Sequence, residues 1–462
     1  MLKFPDPSEK ILPNEIQLHE TPHYHHKDEI CDRIVGSLIG LSVCDALGAS
    51  VEFRPRQYLV DNPVQKMQSG GTWGLDAGQW TDDTSMALCL ASSLISSNAF
   101  NLYDQMVRYK WWFKYGYLSS TGTCFDIGKA TRQSLIDFAN QQKILKIRYR
   151  CRNESEVDRL TWDSVERIKD FQINCGNKES AGNGALMRLA PVPLFYYNRP
   201  DLAIEYSAIS AEITHANKKA IDACRYYAAL IVGALQGLTK DELLHRDFYV
   251  KYRTWFGEIP LDEEILSVAQ GSFKRNNGYD DGIRGKGYVV NALEAALWAF
   301  WSDNDSFRTG ALNAVNLGDD TDTTAAIYGQ LAGAYYGYKN IPKEWRDTLY
   351  AKDLIICIGQ WLHFQGKSYQ LDNPTFEQTD EQQNVQENNN TRQSHEKISV
   401  RFDQSKPTIN RSVSLDSSNT RLHPPKDKST TLFNSISKID EDFSPATCDY
   451  PFYRDHLSDT DD

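Results

Sequence analysis

Two clusters of aspartate and threonine carry the residue types and spacing best suited to chemistry. The first cluster is TDDT at 81–84, and an apolar run, SMALCLASSL, follows it directly. The second is GDDTDTT at 318–324, which is followed by AAIYGQLAGAYYG. Both apolar runs are helical in pattern, so each cluster places carboxylates and hydroxyls in the first turn of a predicted helix.

Each cluster taken alone has a structural explanation, because Asp and Thr favour helix N-caps and complement the helix dipole. Taken together, they hold more carboxylates than capping requires, and adjacent aspartates repel unless a positive charge lies between them. All the donors are hard oxygens, with no His or Cys nearby in sequence, which favours Mg²⁺ or Mn²⁺ over zinc. If the two helix starts converge, two metal ions about 4 Å apart could be held by Thr81, Asp82, Asp83, Asp320, Asp322 and Thr323.

The elements that must position these clusters are helices. Residues 28–370 are mostly helical in pattern, with apolar residues at helical spacing over 34–41 and a second apolar segment over 86–94. The alanine-rich stretches 203–234 and 289–301 contain no internal proline, which also favours helix. Strand-type alternation is scarce, so the sequence predicts an all-α protein.

Glycines recur at close-packing intervals in two of the predicted helices. Gly36 and Gly40 are four residues apart in one, and Gly329, Gly333 and Gly337 continue the same interval in the other. In a membrane this spacing would suggest dimerisation, but the second stretch is too short and too polar. The spacing therefore predicts close helix–helix packing in the core.

Composition changes along the chain predict its domain organisation. Residues 1–27 form an N-terminal extension, and 28–370 form one helical domain, within which the more charged segment 141–178 is an inserted excursion. Residues 371–462 become polar and rich in Ser, Lys and Pro. Such sequence buries too little apolar surface to offset chain entropy, so we predict a disordered tail.

Charge and cysteine content limit the partners and the compartment. The net charge of −12 argues against a general electrostatic footprint for nucleic acid. The nine cysteines form no CxxC pair, and Cys44, Cys89 and Cys224 lie in apolar helical patterns, which suits a reducing compartment. No signal peptide and no apolar run near the roughly 20 residues of a membrane span are evident. We expect a cytoplasmic protein with no membrane partner.

The two aspartate clusters resemble the signature pair of the ADP-ribosylglycohydrolases, and the segments between them agree in order. The resemblance covers Arg33 to Gly337 and is weakest over the charged excursion. CFDIG and GYVVNALEAALWAF are similar to the bacterial branch that removes ADP-ribose from arginine of dinitrogenase reductase. The agreeing segments are GSLIGLSVCDALGASVEF (36–53), GTCFDIGKATRQSL (122–135), GNGALMRLAPVPLF (182–195), ITHAN (213–217) and GYVVNALEAALWAF (287–300).

The resemblance implies an all-α orthogonal helical bundle around a di-metal site, with the six oxygen donors named above as ligands. It implies hydrolysis of the N-glycosidic bond between ADP-ribose and arginine, so the partner would be an ADP-ribosylated protein or an ADP-ribose-containing small molecule. An ADP-ribosyl-serine or O-acyl-ADP-ribose substrate is the alternative within this chemistry. A catalytically silent, crystallin-like binding or structural protein is the non-enzymatic alternative.

The resemblance makes two further acids candidates for proton transfer. Asp126 of CFDIG would lie beside the substrate guanidinium, where a carboxylate can form bidentate hydrogen bonds, or it would simply cap the following helix. Glu52 aligns with a gate or acid–base glutamate but could be structural. Asp82 and Asp83 would join these two in catalysis through the metal ions. Asp45 either supports the site or is a carboxylate buried for structural reasons.

The substrate would lie along a glycine-rich turn. Backbone amides at such an entry to a helix suit a pyrophosphate, and the resemblance places the diphosphate at Ser180, Gly182, Asn183 and Gly184. His215 of ITHAN matches a family histidine near the site, with a satisfied core histidine as the competing interpretation. Tyr288 would line the substrate cleft.

Overall fold

The computed structural model describes residues 2–18, 22 and 28–372. The described residues form 18 α-helices, no strand, and two isolated β-bridges. This confirms the predicted all-α class. The helices are α1 (Glu29–Gly48), α2 (Arg56–Asp61), α3 (Asp82–Ser97), α4 (Leu102–Tyr115), α5 (Lys129–Arg148), α6 (Glu154–Asp158), α7 (Trp162–Val165), α8 (Pro191–Phe195), α9 (Pro200–Glu212), α10 (Lys218–Leu235), α11 (Lys240–Leu243), α12 (Phe248–Lys251), α13 (Glu263–Ala269), α14 (Val289–Trp301), α15 (Phe307–Val315), α16 (Thr321–Tyr336), α17 (Lys343–Thr348) and α18 (Lys352–Asp372).

Short 3₁₀ helices join several of these elements. They are Pro7–Glu9, Pro13–Glu15, Ala49–Val51, Arg253–Phe256, Gly278–Asp281 and Tyr338–Asn340. The segment Ala49–Val51 continues directly from α1 and leads the chain to Glu52. It therefore holds Glu52 close to the C-terminal end of α1.

Helices α1 and α16 pack with their backbones in contact, which confirms the packing predicted from the glycine spacing. A Cβ atom built on Gly36 would lie 2.5 Å from the carbonyl oxygen of Gly333. One built on Gly40 would meet the carbonyl oxygen of Gly329 in the same way. At the far end of α1, a Cβ on Gly48 would lie 2.5 Å from Cα of Asp322. The glycines therefore bring the start of α16 directly against α1.

Helix α1 corrects the expectation that no apolar run approaches the length of a membrane span. The segment Glu29–Val51 is long and apolar enough to cross a membrane by length and composition, and 94% of its most apolar part is buried inside the protein. Its apolar length is explained by its central position, since it packs against α16, α18, α3 and α15. A helix covered on all sides needs no polar face.

The alanine-rich stretch 203–234 forms two helices. Helix α9 ends at Glu212 and α10 begins at Lys218, with the segment Ile213–Asn217 between them. The side chain of Asn217 accepts a hydrogen bond from the backbone N–H of Lys219 at 3.0 Å and so caps α10. The break places His215 in the segment between the two helices. The predicted helix 289–301 is confirmed as α14.

The domain boundaries remain predictions. The charged segment 141–178 begins inside α5, and Val157, Val165 and Ile168 are buried in the core. Helix α18 continues to Asp372, two residues into the predicted tail, and residues 373–462 lie outside the described part of the chain. In the N-terminal extension, Leu2 and Ile16 are buried.

Candidate active site

The two aspartate clusters converge at the starts of two helices. Asp82 and Asp83 occupy the first turn of α3, and Asp322 and Thr323 occupy the first turn of α16. The Thr323 hydroxyl donates to Asp83 Oδ2 at 3.4 Å, which joins the two helix starts. Ligand atoms of Asp45, Asp83 and Asp322 all lie within 4.8 Å of one another. The predicted convergence is therefore present.

Helix capping does not account for these side chains. Thr81 and Asp320 occupy the N-cap positions of α3 and α16, but neither side chain caps its helix. The cap of α3 comes from Asp45 on α1, whose carboxylate accepts from the backbone N–H groups of Thr81 and Thr84 at 2.9 and 3.0 Å. It also accepts from their hydroxyls at 3.0 and 2.6 Å.

Asp45 is therefore an anchor for α3. A carboxylate offers about four lone-pair sites, and these four hydrogen bonds occupy them. Burial raises the pKa of Asp45 to about 6, although the hydrogen bonds from Thr84 and Thr81 act in the opposite direction. This resolves the two interpretations left open by the sequence, because Asp45 supports the site by holding the α3 cluster in place.

Other carboxylate oxygens at the centre have no hydrogen-bond partner within the described part of the chain. Among the described residues, Asp83 Oδ1 and both carboxylate oxygens of Asp322 are buried without a hydrogen bond. Glu52 and Asp320 extend the cluster, since their ligand atoms and one of Asp322 lie within 4.8 Å of one another. Buried polar atoms without a partner are costly. The all-oxygen donor set and its unpaired atoms fit a hard divalent cation.

The raised pKa values of the clustered carboxyl groups also favour a bound cation. Burial, followed by the charges of Asp320 and Asp45, raises the pKa of Asp322 well above its usual range. Burial and the charge of Asp322 do the same to the pKa values of Asp82 and Glu52. A cation among these carboxylates would offset their mutual repulsion and favour their ionised forms.

Asp126 lies beside this cluster and does not cap a helix. Helix α5 begins at Lys129 with Gly128 as its N-cap, which rules out the capping interpretation. Asp126 is half-buried and has a φ of +58°, in the left-handed region that Asp tolerates better than most residues. Burial and then the charge of Glu52 raise the pKa of Asp126 well above its usual range. Its role towards substrate remains a prediction.

Glu52 has a partner that the sequence did not suggest. The indole Nε1 of Trp73 donates to Glu52 Oε2 at 2.7 Å, and the Glu52 side chain is buried. Trp73 lies in the turn Gly70–Leu75, 21 residues further along the chain. The glycine-rich string GGTWG at 70–74 indicated a turn around Trp73, but it did not indicate the contact with Glu52.

The glycine-rich turn at 180–184 adjoins the acidic cluster. Gly182 pairs with Tyr288 in an isolated antiparallel bridge, and the Asn183 amide Nδ2 donates to Asp320 Oδ2 at 2.7 Å. The Ser180 hydroxyl is beside Gly182, 3.8 Å from the position a Cβ there would take. The turn thus connects the second aspartate cluster to Tyr288.

The expectation that this turn enters a helix directly is wrong. Residues 184–188 form successive turns, and α8 begins only at Pro191. Proline has no backbone N–H to continue a helix from the preceding turn, and it is well placed at the first helical position. In addition, the Asn183 backbone N–H is bonded to the Gly287 carbonyl at 3.0 Å. Diphosphate binding by this turn therefore cannot rest on a helix N-terminus.

His215 packs behind the same turn. A Cβ on Gly184 would lie 2.9 Å from His215 Cε1, so the glycine allows the close approach of the imidazole. His215 Nδ1 and the Thr214 hydroxyl are 2.9 Å apart, and that hydroxyl accepts from Arg188 Nη2 at 2.7 Å. Burial and the positive charge of Arg188 lower the pKa of His215 to about 3. The imidazole is therefore neutral and supports the turn.

This depressed pKa predicts an acid-sensitive contribution to stability. An ordinary unfolded-state pKa near 6.5 means that the contribution is complete above that pH and is lost as the pH falls towards 3. At pH 5 the loss should be about 2 kcal/mol. We expect the free energy of unfolding, measured with urea at pH 7.5 and 5.0, to fall by that much more in wild type than in His215→Gln. His245 is exposed, so His245→Gln should show the same fall in the free energy of unfolding as wild type. An equal fall in wild type and in both variants would show that His215 does not cause the loss of stability in acid.

The hydroxyl of Tyr288 is hydrogen-bonded to both members of an ion pair, a contact that sequence spacing could not reveal. Its hydroxyl donates to Glu264 Oε2 at 2.8 Å and accepts from Lys219 Nζ at 3.0 Å. Lys219 and Glu264 also form an ion pair. Three residues from α10, the start of α13 and the segment before α14 thus meet at one hydroxyl, which holds the half-exposed Tyr288 ring beside the glycine-rich turn.

Comparison with known proteins gives the class. The family model for ADP-ribosylglycohydrolase matches residues 26–370. An ADP-ribosylarginine hydrolase, Tri1, of Serratia proteamaculans (strain 568) is 33% identical over 352 residues, covering 75% of this chain and 83% of that protein. The ADP-ribosyl-[dinitrogen reductase] glycohydrolase of Rhodospirillum rubrum is 27% identical over 329 residues, covering 69% of this chain and 90% of that protein.

A solved structure agrees with both relatives. It is described as an ADP-ribosylglycohydrolase-related protein complex and shares 35% sequence identity, with a TM-score of 0.58 over 73% of this chain and 99% of that one. The chain therefore belongs to the ADP-ribosylglycohydrolase family. This confirms the predicted resemblance, the hydrolase class and the family's helical fold.

Proposed function

We propose that this protein hydrolyses the N-glycosidic bond between ADP-ribose and an arginine side chain of a target protein. The observation that carries the proposal is the buried cluster of unpaired carboxylates at the starts of α3 and α16, with Asp126 beside it. The printed names of the relatives support the linkage, since one is an ADP-ribosylarginine hydrolase. A cluster of repelling acids is also poorly suited to a purely structural protein.

We propose Mg²⁺ or Mn²⁺, two ions, as the cofactor. The six predicted ligands are Thr81, Asp82, Asp83, Asp320, Asp322 and Thr323, all of which contribute hard oxygens at the two helix starts. When bound, such ions supply charge that orients ribose hydroxyls and makes a bound water more acidic. Glu52 belongs to the same cluster, accepts a hydrogen bond from Trp73, and would act on the ribose.

Different side chains of the protein would then bind different parts of the substrate. Hydrolysis forms a bond from the water oxygen to the anomeric carbon and breaks the bond from that carbon to the guanidine nitrogen. The Asp126 carboxylate would accept two N–H bonds from the guanidinium and so orient the departing group. Ser180, Gly182 and Gly184 would receive the diphosphate, and Asn183 would hold Asp320 in place.

Asp126→Ala tests the proposed contact between Asp126 and the guanidinium. Removing one partner of a desolvated charge pair costs about 2 kcal/mol or more, so kcat/KM for arginine-linked substrate should fall at least thirtyfold, roughly. A serine-linked substrate has no guanidinium, and any cleavage of it should depend more on Glu52. Initial rates of ADP-ribose release from both substrates check this for Asp126→Ala and Glu52→Ala.

Exposed Asp163→Ala is the matched control, and it should retain the wild-type rate. If Glu52 proves indispensable, Asp126 replaceable and serine-linked protein the better substrate, the arginine assignment is wrong while the metal chemistry stands.

The eight described cysteines are all free thiols, which supports our proposal of a reducing, cytoplasmic location.

A further inference from the structure

Two half-exposed aromatic rings lie against the acidic site. The rings of Trp73 and Phe125 have centroids 5.6 Å apart and an interplanar angle of 52°. Trp73 is bonded through its indole N–H to Glu52, and Phe125 directly precedes Asp126. Both side chains are only partly buried, although burial would be the favoured state of a large ring.

The Trp73 ring is held by a rigid turn. Gly70 and Leu75 exchange two backbone hydrogen bonds at 2.7 and 3.1 Å, which closes the turn that carries Trp73. Gly71 has a φ of +74°, and a Cβ there would lie 2.7 Å from the carbonyl oxygen of Ala49. The turn is therefore docked on the 3₁₀ helix that leads to Glu52, and the indole is held before any substrate arrives.

We propose that Trp73 and Phe125 form the wall that receives the guanidinium of the modified arginine, and that they help to select this linkage. The inference rests on the proposed function. A planar delocalised cation is attracted to aromatic faces and stacks on them, whereas a serine ester or ether has neither the charge nor the plane. Asp126 would bind the edge of the guanidinium through hydrogen bonds while the rings cover its face.

The indole has a second, separate effect. Its N–H holds the Glu52 carboxylate at 2.7 Å, so Trp73 is also a positioning residue for Glu52. Trp73→Phe keeps a ring and removes the donor, whereas Trp73→Leu removes both. Phe125→Leu removes a ring that makes no hydrogen bond. These three variants separate the ring contribution from the hydrogen-bond contribution.

The test measures KM and kcat of the full chain with Mg²⁺ on an arginine-ADP-ribosylated protein, together with the inhibition constant of free ADP-ribose. Loss of one cation–aromatic contact should raise KM about three- to thirtyfold in Phe125→Leu and Trp73→Leu. In Phe125→Leu, which leaves the hydrogen bond to Glu52 intact, the inhibition constant of ADP-ribose should stay within about twofold of wild type, because ADP-ribose lacks the guanidinium. Trp73→Phe should keep its KM and lower kcat by no more than Glu52→Ala does, since only the positioning of Glu52 changes.

Phe364→Leu is the matched control, because Phe364 is exposed and pairs with Trp361 on α18, away from the acidic residues. Far-UV circular dichroism and the melting temperature show whether each variant is folded. A wild-type KM in Phe125→Leu, or an equal rise in KM and in the ADP-ribose inhibition constant, would overturn the inference. If wild type itself releases no ADP-ribose from arginine-linked protein, the proposed function fails and the inference falls with it.

Discussion

Asp322→Asn is expected to remove turnover while leaving the metal-free protein at least as stable as wild type. Both Asp322 carboxylate oxygens are buried without a hydrogen-bond partner among the described residues. The charges of Asp320 and Asp45 act on this carboxylate and disfavour its ionised form. Neutralising it therefore relieves repulsion in the empty site but removes a ligand from the filled one.

Partners that merely orient a metal ligand are worth about 10- to 100-fold in activity. Loss of a ligand should therefore lower kcat by at least about a hundredfold. In chelator, the melting temperature should equal or exceed that of wild type by about 1–4 °C. Wild type should gain stability on addition of Mn²⁺, and the variant should lose that gain.

Exposed Asp347→Asn provides the comparison, since this acid pairs only with surface lysines Lys343 and Lys352 in the contacts seen. It should keep both the turnover and the metal-dependent stabilisation of wild type. A kcat of Asp322→Asn within a few-fold of wild type, or a melting temperature well below that of wild type in chelator, would show that Asp322 is not a metal ligand.

Gly333→Ala is expected to destabilise the whole domain although it adds a single methyl group. The new Cβ would meet the carbonyl group of Gly36 on α1. Its neighbours are backbone atoms on a buried helix, so no side-chain rotation relieves the overlap. Overpacking costs roughly 1–3 kcal/mol, and the better helix propensity of alanine offsets only about 1 kcal/mol of it.

Separation of α1 from α16 would also shift the start of α16, where Asp322 and Thr323 lie. The variant should thus lose affinity for Mn²⁺ as well as stability, measured by calorimetric titration and urea unfolding. Gly233→Ala on α10 is the matched control, because its Cβ would meet only the ends of Leu238 and Leu243 side chains. If Gly333→Ala unfolds at the same urea concentration as wild type, the close backbone packing does not hold the site.

Much of this site could be predicted from local sequence signals. Strong helix patterns after TDDT and GDDTDTT placed both clusters in first turns, and the glycine interval indicated which helices could approach most closely. Both signals are short-range regularities of one helix or of a matched pair. These two signals were enough to predict the fold class and the convergence of the two clusters.

Other features depend on contacts that sequence spacing does not encode. Asp45 caps a helix that begins 37 positions later in the numbering (82 minus 45), so its hydrogen bonds to Thr81 and Thr84 arise only from tertiary packing. The same holds for Trp73 at Glu52 and for Lys219 at Tyr288. The prediction of a helix directly after Gly184 was wrong for a local reason, because Pro191 lacks a backbone N–H and takes the first position of α8.

Metal-dependent hydrolysis is tested directly by ADP-ribose release from an arginine-ADP-ribosylated protein, measured before chelation, after chelation and after addition of Mg²⁺ or Mn²⁺. We expect release by the wild-type chain, its loss in chelator and its recovery with either ion, because the carboxylates of α3 and α16 need a cation between them. Release that continues unchanged in chelator would contradict the metal centre. No release under any condition, with the protein folded, would contradict the proposed hydrolysis of arginine-linked ADP-ribose.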